Sequence, residues 1–403
     1  MTEIGITLLA TLWLALDAGG VSLPRAGPLH PQPHLCAQRI FAGSVVPLHL
    51  PNGATAALLG PGSIEGAHLA TPAHLDAPAE TLVIAERNGV AGARRVTLLP
   101  APALTNTLAS VDADCGITLY DRASLTPLGT FVTDGSPADA AYSGNALIWA
   151  PSSGSSATRY VPQAGISPLA LGPDTSALLD DRPAHVLVQA NRDTPPGSGA
   201  VTIIADDPRT PPRRLPVGET PEGLALTGDA AGSVLVTAVN GGTLSEVDPR
   251  ADWAVRTLRV GERPFGVAAD TARGLAFVAL NAVAGMRAST AGGVAVVDLR
   301  RWRVRRVRHD AGLALGVAVD PARRRIFVTE ELGSVLVLDE ELRPLRVALH
   351  PCELPWLPSV DLDAQHLFIP CPREDRVVVY DLRTLREVAR MKTSPYPLRV
   401  VLP

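Results

Sequence analysis

The chain is predicted to be all-β, a single β-propeller of four-stranded antiparallel blades, and three observations predict it. A unit of forty-odd residues recurs along most of the sequence. Within each unit, short apolar runs are separated by Gly-, Pro- and Asp-rich turns, and 35 Gly and 37 Pro among 403 residues interrupt the chain too often for long helices. With 46% hydrophobic and 19% charged residues, the strands have ample apolar surface to bury, which excludes a disordered chain or a coiled coil.

The charge is nearly balanced, 36 Lys plus Arg against 40 Asp plus Glu, and no run of five basic residues occurs. A nucleic-acid partner and a polybasic membrane patch therefore lack their electrostatic footprint. Residues 4–16, IGITLLATLWLAL, followed by small residues around Ala18, Gly19 and Gly20, resemble a signal peptide over residues 1–24, although Glu3 stands where a basic residue is expected. The run is too short to span a bilayer, so no membrane insertion of the mature domain is expected. Residues 25–37 are Pro-rich and read as a linker, and residues 38–403 as the propeller.

Four cysteines, Cys36, Cys115, Cys352 and Cys371, show none of the CxxC spacings of zinc or redox sites. Cys352 precedes one expected strand and Cys371 ends the next. In an antiparallel hairpin those positions share an end, within disulfide reach. A bridge there points to an oxidising compartment, periplasmic or secreted; the alternative is a pair of buried small apolar side chains.

The repeat is clearest from residue 221 onward. Each unit reads as an apolar strand, an Asp- or Gly-containing turn, a second strand such as RIFVTE, a short turn, a third strand ending in Asp such as VLVLD, and a fourth such as WRVRRVRH. Asp248, Asp298, Asp339 and Asp381 recur where the third strand turns into the fourth, where an Asp side chain bonds the backbone two residues on. The third strands begin near Gly116, Ala157, Ala200, Thr243, Val294, Val335 and Val377, with one wide interval explained by an insertion at residues 282–292. A second insertion is placed at residues 89–113. The final YPLRVVLP reads as an innermost strand, and residues 38–60 as strands two to four of the same blade. Pairing of N- and C-terminal strands would then close a ring of eight blades, or of seven if residues 38–60 pack on the outside.

Residues 275–298, 325–339 and 367–381 resemble the YVTN-type propeller repeat of the YncE-like bacterial family. Phe327, Val328, Thr329 and Glu330 match its second-strand motif, and Pro264, Gly266, Val267 and Ala268 its Pro-x-Gly-Val-Ala first strand. The resemblance covers residues 220–400 well and 60–220 weakly. It implies an exported bacterial protein that binds something or accompanies a redox or transport system; a few similar propellers are lactonases or dehydrogenase subunits. The motif belongs to the blade and transfers no catalytic residue.

Ligands of propellers sit at a channel mouth, so the loops from each fourth strand to the next first strand are the place to look. Glu65 and Glu222, at equivalent positions of blades about three apart, join His309 and His350 as candidates to hold a cation or to act as acid and base. Carboxylates would favour calcium or magnesium, and two histidines with acids zinc. The alternative is that all four are solvated loop residues. Nucleophile-elbow, P-loop, Rossmann and haem-attachment motifs do not occur, so no cofactor is assigned. The basic segment at residues 300–309, RRWRVRRVRH, reads as an outer strand whose Arg residues face water while Trp302, Val304 or Val307 pack inward; the sharper alternative is an acidic protein docking on the rim of blade five.

The expectation is a monomeric, exported, noncatalytic binding or scaffold propeller presenting a channel mouth to a protein partner or small molecule. Two alternatives come from other classes: a metal-assisted lactonase-like hydrolase, and an accessory subunit of a periplasmic dehydrogenase.

Overall fold

A computed structural model describes residues 35–403, apart from 193–196, 198, 229–231, 282, 285, 286, 289–291, 310–312 and 347. The expected signal peptide and most of the Pro-rich linker lie outside the described residues. Among the described residues no helix is long and apolar enough to cross a membrane.

The third strands start within one residue of the expected positions, at Gly116, Ser156, Ala200, Thr243, Gly293, Val335 and Arg376. Six blades follow the chain in order, their inner strands being Pro137–Ser143, Thr175–Asp181, Pro221–Leu226, Pro264–Asp270, Ala314–Asp320 and Ser359–Asp361. We number these blades 2 to 7. Blade 6 has three regular strands, its fourth being reduced to isolated bridges from Val335 to Leu349 and from Leu338 to Pro344.

Blade 1 corrects the expected closure. Its outer three strands are Thr107–Asp112, Gly116–Asp121 and Pro127–Val132, and its inner strand is the last of the chain, Pro397–Val401, pairing antiparallel with Thr107–Asp112. The last strand is thus innermost, as expected, but its partner comes from residues 107–112 and not from residues 38–60. The blade count is seven, the alternative in which residues 38–60 pack on the outside, and not the eight that the repeat favours. Thr107–Asp112 is buried at every position and needs a partner on both edges. The preceding segment cannot serve, because Pro100 and Pro102 remove ladder donors. The inner strands of blades 7, 1 and 2 touch in turn, completing the circle.

Residues 38–60 lie on the outside. Arg39–Phe41 pairs in parallel with the outer strand of blade 1 at Ile40 and Thr130, and on its other edge with Val90–Leu99. Val90–Leu99 is no insertion within a blade; it forms a long hairpin with Ala79–Arg87, turned by Asn88 and Gly89, both at positive φ. Thr55–Leu59 ends this extension. Cys36 and Cys115 form a disulfide that ties the extension to blade 1, and Cys352 and Cys371 form the expected one.

Apolar clusters fill the seams between blades. Between blades 1 and 2 lie Phe131, Trp149 and Tyr160; between blades 7 and 1, Tyr120, Phe368, Val379 and Val400. The other five seams have clusters of the same kind. Blade strands therefore bury both faces, which is why their sequences read as nearly continuous Val, Ile, Leu and Ala.

The recurrent aspartates do cap turns. Asp248 Oδ1 accepts from the Arg250 N–H and Asp339 Oδ1 from the Glu341 N–H, while Asp298 and Asp381 reach the third residue on, at Arg301 and Thr384. A second set ends the inner strands: Asp181, Asp270, Asp320 and Asp361 are buried and accept from the following turn. The basic segment forms the outer strand Arg303–Arg308 of blade 5, with Trp302, Val304 and Val307 packed inward. Its arginines do more than face water: Arg306 and Arg308 donate to the Glu341 and Leu342 carbonyls of blade 6.

Candidate functional site: the central channel

All seven inner strands line one channel of about 740 Å³. Its width follows from how closely the inner strands approach. A Cβ on Gly223 would lie 2.4 Å from the Phe265 carbonyl oxygen, one on Gly266 2.7 Å from the Leu315 oxygen, and one on Gly316 2.3 Å from Pro358 Cδ. The glycine at the third position of these inner strands, preceded by Pro-x in blades 4 and 5 and by Ala-Leu in blade 6, is thus a contact between blades 4, 5, 6 and 7, where the next inner strand crosses.

The residue just before Gly223 and the one just before Gly266 line the channel, Glu222 in blade 4 and Phe265 in blade 5. Glu222 is bound side-on by Arg192, which leaves the second strand of blade 3, with Nε 3.0 Å from Oε1 and Nη2 3.3 Å from Oε2. Burial raises the Glu222 pKa above the usual carboxylate range, and Arg192 and Arg263 pull it back. Phe265 meets Trp356 edge-to-face at 6.4 Å between ring centroids, across the top of blade 6. One mouth therefore combines an aromatic edge with an ion-paired carboxylate.

Deeper in the wall, Arg399 Nη1 lies 2.7 Å from Asp139 Oδ2, joining the inner strands of blades 1 and 2. Asp139 also accepts from the Leu178 and Ala140 N–H groups. Burial raises its pKa, and Arg399 opposes that shift. The opposite mouth carries Asp180 and Arg182 at 3.3 Å, beside Leu402 and Pro403.

Of the four candidates read from the sequence, Glu222 lines the channel. Glu65 is exposed in a small sheet of Val45–Pro47, His68–Ala70 and Ser63–Glu65 outside blade 1, where it accepts from the Ser63 hydroxyl. His309 and His350 are exposed and are not among the lining residues. The structure does not bring the four together. Among the described residues the one grouping of three metal-capable side chains is Cys352, Cys371 and Glu374, and its two sulfurs are bonded to each other. Arg192 follows the second strand Val186–Asn191 of blade 3 and so lies outside the fourth-to-first loops, where the repeat places ligand-binding residues. Phe265 lies within the Pro-x-Gly motif, which marks an inner strand and carries no signal of the channel.

Seven blades around an open channel define a β-propeller. No family model matches the chain, and no curated protein matches it. Solved structures do: Kuenenia stuttgartiensis hydrazine synthase is similar at TM-score 0.58 and 15% identity, over 70% of this chain and 93% of that one. The dihydro-heme d1 dehydrogenase NirN in complex with DHE is similar at TM-score 0.54 and 15% identity, over 75% and 77%. The WD40 β-propeller domain of Doa1 is similar at TM-score 0.51 and 13% identity, over 66% and 86%. At such identities the likeness shows the fold alone.

Proposed function

We propose that this chain is an exported, noncatalytic binding propeller of the YVTN type, whose channel mouth at Glu222 takes a small amphipathic molecule. The observation that carries this reading is the placement of the Phe265–Trp356 edge beside the Arg192–Glu222 pair, at the mouth of a channel of about 740 Å³. That volume lies in the range of small-molecule sites, and the aromatic edge and ion pair suit a ligand with one flat apolar part and one charged group. Export is supported by the two disulfides, which persist in oxidising compartments, and by the apolar run at residues 4–16. The YVTN assignment is supported by the second-strand motif Phe327–Val328–Thr329–Glu330.

A thermal-shift screen of small aromatic carboxylates and aromatic ammonium compounds tests this reading. At least one compound should raise the melting temperature, and Trp356→Ala and Glu222→Gln should each abolish the rise. A rise that survives both substitutions, or no rise with any compound, overturns it.

A further inference from the structure

A second cavity, of about 460 Å³, opens between blades 5 and 6 on the side of the turns that end the inner strands. Five guanidinium groups line it: Arg273, Arg300, Arg301, Arg305 and Arg324, with Asp298 and Glu340 as its acids. Four of the arginines are accounted for. Arg273 Nη1 lies 2.7 Å from Asp270 and its Nε 2.7 Å from Glu340; Arg324 pairs with Glu340 at 2.5 Å, Arg301 with Asp298 at 3.0 Å, and Arg305 with Glu341 at 2.5 Å. Arg300 is the remainder: exposed, and without an ion pair or side-chain hydrogen bond among the described residues. Gly274, at φ +66°, leaves room for it, since a Cβ there would stand 3.2 Å from the Arg300 Nε.

We propose that this cavity is a binding site for a small multivalent oxyanion, one carrying two or more carboxylate, phosphate or sulfate groups. Guanidinium forks bind such groups side-on, and the four paired arginines are already held in place by their carboxylates. The unbalanced charge of Arg300 supplies the attraction, and its neighbours supply further donors at the cavity wall. The site is separate from the channel and does not depend on what the channel binds. The sequence showed part of it, as the basic segment at residues 300–309, but Arg273 and Arg324 come from the turns that end the inner strands of blades 5 and 6.

Isothermal titration of the full chain at low salt with inorganic pyrophosphate, and separately with citrate, tests the site and tells a phosphate source from a carboxylate source. Binding of either anion is expected, weakening about tenfold with Arg300→Gln, because a charge-assisted hydrogen bond is lost, and weakening also as salt is raised. Arg300→Lys should restore part of the affinity, and Arg159→Gln, on blade 2, should leave it unchanged. Arg300→Gln should melt at the wild-type temperature, so a loss of binding is not a loss of fold. The proposal is overturned if neither anion binds, if Arg300→Gln binds as wild type does, or if only a long acidic peptide binds.

Discussion

Arg399 Nη1 stands 2.7 Å from Asp139 Oδ2, and this pair spans the seam where the last strand of the chain meets the first strand of blade 2. The carboxylate is 5% exposed and the guanidinium 29%, so removing the arginine leaves a nearly buried charge held only by two backbone N–H groups. Arg399→Ala should lower unfolding free energy in urea by about 3 kcal/mol, the magnitude for breaking a buried pair. Adding Asp139→Asn to that variant should recover part of the loss, because the amide oxygen still accepts from Leu178 and carries no charge. A loss below about 0.5 kcal/mol, the range of surface substitutions, would show that the seam is closed by apolar packing alone.

Asp112, at the end of the strand that receives Pro397–Val401, should make stability depend on pH. Burial raises its pKa to about 8, against the hydrogen bonds donated by Ser110, Thr118 and the Ser394 N–H. The unfolded chain releases this proton near pH 4 and the folded chain near pH 8, so the folded state binds the extra proton between those values. Stability from this group is full below about pH 4, falls as pH rises, and is lost above about pH 8, with a slope of at most about 1.4 kcal/mol per pH unit. Asn191 holds the matching place in blade 3, accepting from Thr202, and shows that an amide fits. Asp112→Asn should flatten the slope in urea titrations at pH 5, 7 and 9; an unchanged slope would refute the assignment.

The two disulfides should differ in effect. Cys36–Cys115 closes a separation of 79 residues and Cys352–Cys371 one of 19. Loop-closure entropy in the unfolded chain makes the former worth about 4.5 kcal/mol and the latter about 3. Replacing Cys36 and Cys115 by Ser should also speed proteolysis of residues 35–99 ahead of the blades, whereas Ser at 352 and 371 should not. Equal cleavage rates in the two double variants would count against the tether.

Gly316 should not tolerate a side chain. Its Cβ would meet Pro358 Cδ at 2.3 Å and Thr329 Oγ1 at 3.0 Å, so Gly316→Ala must push blades 6 and 7 apart, at about 1–3 kcal/mol. Ala177 is the alanine two residues into the inner strand of blade 3, and it is buried, so Ala177→Gly should change stability by about 1 kcal/mol or less. Equal melting temperatures for wild type and Gly316→Ala would mean the seam is looser than its contacts imply.

What could be read from the residues was local. The turn aspartates act on backbone two or three residues away, and Cys352 and Cys371 flank adjacent strands of one hairpin. What escaped was nonlocal. Asp139 precedes Arg399 by 260 residues, and Arg192 reaches Glu222 from a neighbouring blade. Glu65 and Glu222 occupied similar places in the text of the repeat, yet only one of those segments is an inner strand.

By itself, then, the amino-acid order determined the blade: its period, its strand pattern and its turn chemistry, because these rest on side chains acting over a few residues or on one sheet face. Only the tertiary structure decided which strand completes blade 1, that Arg39–Phe41, Val90–Leu99, Ala79–Arg87 and Thr55–Leu59 extend its outer edge, and which charges meet in the channel and in the cavity between blades 5 and 6. The physical reason is that near-identical blades offer near-identical edges. The choice among them is made by burial and by unsatisfied backbone groups at the closing seam, quantities that exist only once the ring has formed.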